Sequence, residues 1–266
     1  MRINTNMSAM ISTNQMSKNT ALSGKSMEKL STGLRITKAG DDAAGLAISE
    51  KMRAQIRGME QADRNVQDGI SYVQTAEGAL EEAGNIVQRM RELSVQAGNS
   101  TLDTTDSTKI GEELTQLKKE LDQIGTETKF NGKTILGGGT VTIQAGANTE
   151  TRTFTNANLA TDITGLATDV ADTTKAQAAV TAAETALNNI STSRAKLGAM
   201  QNRLEYTSSN LTTSSENLSA AESRIRDVDV AKEMVELSKL NILSQASQAM
   251  VSQAKQQPEQ VTQLLR

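Results

Sequence analysis

The chain has 266 residues, a net charge of -3 and no Cys, His or Trp, which excludes disulfides, zinc sites of the usual ligands, Cys/His or Ser/His/Asp nucleophiles and imidazole acid-base catalysis. The mild acidity gives no support for a nucleic-acid partner, which needs a basic face. Two Tyr, two Phe and one Pro leave little material for a thick globular core, since buried aromatics of about 150–250 Å² each normally anchor one, and the composition points to long helices.

Residues 1–40 carry a thin apolar stripe, Ile3, Met7, Met10, Leu22, Leu30 and Leu34, in a Ser/Thr/Asn/Gln background. A helix with so narrow a face cannot offset the ~1–2 kcal/mol per residue of backbone ordering, so this end requires a partner. Its first turns are too polar for a secretory signal, and no run approaches the ~20 apolar residues of a membrane span; on these grounds alone the chain reads as soluble and cytosolic. Gly24-Lys25-Ser26 imitates the end of a phosphate-binding loop, but Asn19 stands where that motif needs Gly. Asp41-Asp42 could be a carboxylate dyad or half of a metal site. Ahead of a helical run of Ala, Leu, Ile and Met, however, the pair has the character of an N-terminal cap, accepting free backbone N–H groups and complementing the helix dipole.

The column Met52, Met59, Val66, Val73, Leu80, Val87 is apolar at every seventh position. It predicts a helix over 43–97, roughly 80 Å long at ~1.5 Å per residue, stopped at Gly98-Asn99 by a left-handed cap. Within it, Arg89, Leu93 and Gln96 fall at helical spacings, and an Arg beside an exposed Leu can anchor a protein interface; the plain alternative is helix surface. Ile110, Leu114, Leu117, Leu121 and Ile124 mark a second, shorter helix folded back on the first. The pairs Glu81-Glu82 and Glu112-Glu113 read as solvated faces.

From Phe130 to Thr155 turn residues and β-branched residues replace helix formers, and Val141–Ile143 with Arg152–Phe154 around a turn-rich stretch predict a β-hairpin. Thr155–Thr174 has little apolar patterning and reads as a surface connection. Ile190, Leu197, Leu204, Leu211, Leu218 and Ile225 then form one column of sevens, with the small partner column Ser193, Met200, Thr207, Ser214, Ala221. The seam is expected to continue in register through Val228, Val235, Ile242 and Ala249, with a change of chemistry at Arg226–Val230, and Pro258 to end the ordinary helix. Residues 228–266 carry a thin stripe like that of the first forty. The Met residues lie mainly on the stripes, where an adaptable packing surface accounts for them without a cofactor. The fold expectation is mainly α: a long antiparallel helical bundle or coiled coil, a rod, with a small β-hairpin region, and both termini helical and packed together.

Five ordered stretches carry a family resemblance: "LSTGLRI…DDAAGLAIS" (Leu30 to Ser49), "QRMRELSVQ" (Gln88 to Gln96), "TKFNGKTIL" (Thr128 to Leu136), "ESRIRDVDVAKEM" (Glu222 to Met234) and "QQPEQVTQLLR" (Gln256 to Arg266). By these the chain resembles a bacterial flagellin, a short form lacking large variable outer domains. The resemblance implies an inner terminal domain, 1–40 with 226–266, that orders on assembly, and an outer rod domain over 41–225, including 128–174 as hairpin and short variable region. It implies a non-enzymatic subunit of the extracellular flagellar filament, without cofactor or metal, exported unfolded and polymerising with itself. A secretion chaperone on the C-terminal segment, filament cap and hook-filament junction proteins, and a flagellin-sensing Toll-like receptor of animal hosts are the other implied partners, with no nucleic acid and no membrane. Ile3, Met7, Met10, Val228, Val235, Ile242, Leu264 and Leu265 are the expected inner filament contacts. Arg35–Gly45 is the expected joint, with Asp41 and Asp42 as caps of the rod's first helix and Gly45 among its small residues. Arg89, Leu93 and Glu113 match the receptor-recognised patch. A hook-filament junction protein shares the terminal pattern; a chemoreceptor would need membrane spans, and a metalloprotease insert would need His.

Overall fold

The computed structural model describes residues 6–264, with side chains described from Asn6 to Gln256. Ile3 and Leu265 therefore lie outside the described residues, and Leu264 has only its backbone within them. In chain order the elements are α1 (Met7–Thr32), α2 (Ala43–Ala97), α3 (Thr104–Glu127), β1 (Lys129–Phe130), β2 (Lys133–Thr134), β3 (Thr140–Gln144), β4 (Thr151–Thr155), α4 (Leu159–Asp162), α5 (Thr173–Arg226) and α6 (Val230–Leu264). They form two compact units, residues 1–54 with 217–266, and residues 55–216.

In the unit spanning 55–216 the heptad columns do what their period demands. Val66, Val73, Leu80 and Val87 of α2 are fully buried, and Ile190, Leu197 and Leu204 of α5 are buried with them. The two helices run antiparallel, which the polar links along their flanks record: Ser208 donates to Asp63, Arg194 lies 3.8 and 3.7 Å from Glu77 and Glu81, and Arg91 pairs with Glu184 at 2.8 Å. Asp103 caps α3 by accepting from the Thr104 N–H, and α3 buries Ile110, Leu114 and Leu121.

The expected hairpin is β3–β4, antiparallel from Thr140↔Thr155 to Gln144↔Thr151. It seats on α2 so closely that a Cβ on Gly69 would overlap the end of the Ile143 side chain. A second, shorter hairpin, β1–β2, turns on Asn131-Gly132, both with positive φ (49° and 79°), the geometry such dipeptides favour. Tyr72 of α2 meets Phe130 and Phe154 edge-on at 5.6 and 6.0 Å, so three of the chain's four aromatics gather at one spot beneath the hairpins.

Four expectations fail. Thr155–Thr174 is not a surface connection: it contains α4 and buries Leu159, Ile163, Leu166 and Val170, with Lys118 Nζ donating to the Leu166 carbonyl at 3.0 Å. Its apolar residues sit on irregular turns, so no period announced them. Gly98 is not left-handed and its N–H returns to the Ser94 carbonyl; the left-handed cap belongs to Gly33, at φ 72° after α1. The seam does not pass in register from α5 into α6. The break between Arg226 and Val230 resets the phase, leaving Leu237, Leu240, Ser247 and Ala254 buried and Val235, Ile242 and Ala249 exposed. Nor does Pro258 end the helix, because a proline removes one helical donor, and α6 runs on to Leu264.

Candidate functional site

In the unit of 1–54 and 217–266, α1 and α6 pack along their lengths in opposite directions. The buried side of this pair mixes small and polar residues with two leucines. Asn19, Ser26 and Ser247 are 3%, 5% and 2% exposed, beside Leu237, Leu240 and Ala254. Asn19 Nδ2 donates to Ser247 Oγ at 3.4 Å, and Ser23 to Asn241 at 3.3 Å. The apolar side chains point away: Met7, Met10, Ile11, Leu22 and Met27 on α1, and Val230, Met234, Val235, Ile242 and Leu243 on α6, with Val235 70% exposed. An array of this kind is a surface that water penalises and another helix would cover.

The joint is held by backbone. Leu34 and Asp227 form an antiparallel bridge, the Arg35 N–H donates to the Arg226 carbonyl at 2.6 Å, and the Val228 N–H to the Gly33 carbonyl at 3.0 Å. Arg35 Nη2 adds a bond of 2.5 Å to the Ile225 carbonyl. Ser49, fully buried, donates to Glu222 Oε1 at 3.1 Å and accepts from Arg226 Nη1 at 3.3 Å, with Arg53 Nε 3.9 Å from the same carboxylate. This network ties the start of α2 and the end of α5 to the terminal helices, and the boundaries at 54/55 and 216/217 fall inside α2 and α5.

The two joint aspartates divide the work. Asp42 Oδ1 accepts from the Gly45 N–H at 2.8 Å and caps α2. A Cβ on Gly45 would overlap Asp42 Oδ2 and lie 2.8 Å from Ile36 Cδ1, so a side chain there would displace the capping carboxylate and the buried Ile36. Asp41 does not cap the helix. Its Oδ2 turns back to accept from Lys38 N (3.1 Å), Thr37 Oγ1 (3.1 Å) and Thr37 N (3.3 Å), bracing the turn before α2. Those donors, the Lys38 N–H foremost, hold its carboxyl below the usual carboxylate range. Lys38 itself binds Glu28 of α1 at 2.8 Å, which raises the ammonium's pKa.

Of the other predicted group, Arg89 Nη2 pairs with Glu113 Oε1 at 3.2 Å and Nη1 with Glu92 at 3.4 Å, and Glu113 foremost holds the guanidinium's proton more tightly. Leu93 is not the exposed residue expected beside it: at 2% exposure it packs inside the unit, because the heptad phase of α2 turns it inward. Arg89 and Glu113 remain exposed, each about half accessible.

Met7, Met10, Val235 and Ile242 of the predicted inner contacts are exposed, and Val228 is partly so. Sequence reasoning missed Asn6, Asn19, Ser247, Ile36 and the Ser49–Glu222–Arg226 network. A period-seven signal was available: Asn19 and Ser26 stand seven apart, as do Leu240, Ser247 and Ala254, but a search limited to apolar residues passes over it. Among the described residues no group of three or more His, Cys, Asp or Glu is placed to hold a metal, and no helix is long and apolar enough to cross a membrane.

Residues 3–142 match the family described as the bacterial flagellin N-terminal helical region, and residues 180–265 the bacterial flagellin C-terminal helical region. Over the full length of both chains, the protein is 54% identical to a flagellin of Halalkalibacterium halodurans and 50% identical to a flagellin of Bacillus subtilis. It is 45% identical to the flagellar filament 33 kDa core protein of Treponema phagedenis, again over both whole chains. The crystal structure of Bacillus cereus flagellin aligns with a TM-score of 0.51 and 33% identity, covering 60% of this chain and 94% of that one.

Proposed function

The chain belongs to the bacterial flagellin family, and from that premise we propose that it is a structural, non-enzymatic subunit of the extracellular flagellar filament, polymerising head to tail for swimming motility. The cytosolic location that composition alone suggested gives way to the filament of which relatives are named core proteins. One observation carries the reading: α1 and α6 bury Asn19, Ser26 and Ser247 beside Leu237 and Leu240, and leave most of their large apolar residues outward. A monomer leaves that outward surface in water, whereas a polymer covers it. A head-to-tail contact whose rotation does not close gives an open helical assembly, and ends too weakly apolar to order alone suppress premature fibres.

Met7, Met10, Val235 and Ile242, with Ile3, Val228, Leu264 and Leu265, supply the inner contacts between subunits, and the terminal segments order as the filament grows. Before that they pass unfolded through the flagellar export apparatus, with a chaperone holding the C-terminal segment, and the filament meets cap and hook-filament junction proteins at its ends. A chain without Cys suits such a passage. Removal of residues 1–30 or 240–266 leaves the apolar unit of 55–216 intact and abolishes polymerisation on filament seeds, read by electron microscopy. Filaments from either truncation would overturn the assignment.

The exposed Arg89–Glu113 pair is the patch on which a host flagellin-sensing Toll-like receptor docks. Arg89→Ala lowers receptor-reporter activation at unchanged thermal stability, and equal potency would count against it.

A further inference from the structure

α6 contains the chain's one proline, Pro258. Proline has no N–H, so the carbonyl four residues earlier, that of Ala254, has no helical donor. That same carbonyl accepts a hydrogen bond of 2.7 Å from Asn6 Nδ2, 248 positions away in the chain. The other end of the Asn6 amide is also in use: Asn6 is the N-cap of α1, and its Oδ1 accepts from the Ala9 N–H at 3.1 Å. One planar amide thus terminates α1 with its acceptor and reaches α6 with its donor, and Ala254 is buried at the contact.

We propose that Asn6 and Pro258 together form a register lock that fixes how far α1 is advanced along α6. The bridge of Leu34 with Asp227 aligns the two helices at the joint end; along the helical contact beyond it, no other bond distinguishes one register from the next as sharply. The buried face carries small and polar residues at repeated spacings beside Leu237 and Leu240, and its side-chain bonds, Asn19 to Ser247 at 3.4 Å and Ser23 to Asn241 at 3.3 Å, are long ones that similar residues a turn away could replace. Away from its own C-terminus, α6 offers a single carbonyl that the helix leaves unsatisfied, and a buried acceptor without a donor is costly. The lock works as a buried polar residue does in a coiled coil, specifying alignment instead of adding apolar contact. It makes Asn6 a positioning residue: it sets the relative placement of the exposed stripes of α1 and α6, which any partner must then match.

The test separates the cap from the lock. Asn6→Asp keeps an N-cap side chain of equal quality but cannot donate to a carbonyl, and Pro258→Ala returns the missing N–H to Ala254. Because the chain has no Cys, register can be read by disulfide formation between Ser23→Cys and Asn241→Cys, against Ser23→Cys and Gln245→Cys one turn further along α6. The ratio is measured in the full chain, in pelleted filaments and in the soluble fraction separately. With Asn6 and Pro258 both present, the first pair dominates. Asn6→Asp lowers the ratio roughly tenfold, as the loss of one hydrogen bond to a part-buried acceptor with no other donor would. On the Pro258→Ala background the same Asn6→Asp change moves it by less than about twofold, since Ala254 then has its own donor. An unchanged ratio in Asn6→Asp, an equal fall on both backgrounds, or a parent ratio near one would each overturn the lock. Absence of filaments would overturn the assembly reading instead, leaving the soluble ratio to decide the lock.

Discussion

Within residues 55–216, α2 and α5 turn their apolar columns toward each other, and Val66, Val73, Leu80 and Leu204 are fully buried. In the other unit α1 and α6 turn Asn19, Ser26 and Ser247 inward, and Met7, Met10, Val235 and Ile242 outward. Both regions have period-seven patterns in sequence. The difference teaches that heptad spacing decides that a helix will be paired, while the chemistry of the column that ends up between the helices decides whether the pair is complete in one chain or awaits another.

The largest effect that sharpens this contrast is a matched pair of truncations. Leu80→Ala should cost about 2–5 kcal/mol and lower the unfolding midpoint of the soluble chain, because it opens a cavity in a closed core. Ile242→Ala, at a side chain 66% exposed, should change that midpoint by no more than about 0.5 kcal/mol yet raise the lowest concentration at which filaments grow. Comparable destabilisation of the soluble chain by both would erase the distinction.

Next comes conversion of one kind of pair toward the other. Asn19→Leu with Ser247→Ala replaces both polar partners by apolar groups and should stabilise the α1–α6 pair by up to about 1.5–3 kcal/mol. The soluble chain would then gain helical content by circular dichroism and slower amide exchange in α1. No gain in either would mean that the polar interior is not what limits the pair.

Gly45→Ala probes the joint. A methyl group there meets the Asp42 carboxylate and Ile36, so a loss of about 1–3 kcal/mol is expected, confined to unfolding of the joint and terminal helices. If the Ala variant melts like the parent, the joint is less tightly packed than its geometry implies.

The smallest effect is a pH dependence. Asp41 is charged and hydrogen-bonded in the folded joint, with its carboxyl held below the usual range by the Lys38 N–H and the Thr37 hydroxyl. A lowered folded value means that its stabilisation is complete above the ordinary carboxylate range and disappears as pH falls through the lowered value. The stability gap between the parent and Asp41→Asn should therefore be present at neutral pH and close in acid. A gap independent of pH would assign Asp41 a role other than its charge.

Much of this was legible beforehand, and the boundary of what was legible is physical. The span of α2, the burial of its column from Met59 to Val87, the α3 stripe and the β3–β4 hairpin all follow from local periodicity and turn chemistry. The packed segment from Leu159 to Val170 did not, because its burial does not depend on the neighbours in sequence that a pattern search compares. At the candidate site Asp42 could be read as a cap from its place before a helix, whereas Asp41, with the same side chain and nearly the same place, braces Thr37 and Lys38. One position along the chain changes which N–H groups lie within reach.

The sequence by itself determined that this is a helical, Cys-free and His-free protein, with long heptad seams in the middle and thin apolar stripes at the ends, since composition and periodicity are properties of the chain. Only the tertiary structure decided which face of α6 is buried, because a three-residue break between α5 and α6 is enough to rotate the stripe and no local signal records the rotation. It likewise decided that the proline expected to end a helix instead leaves a carbonyl for Asn6 at the other end of the chain. A hydrogen bond across 248 positions exists only once the two ends have been brought together.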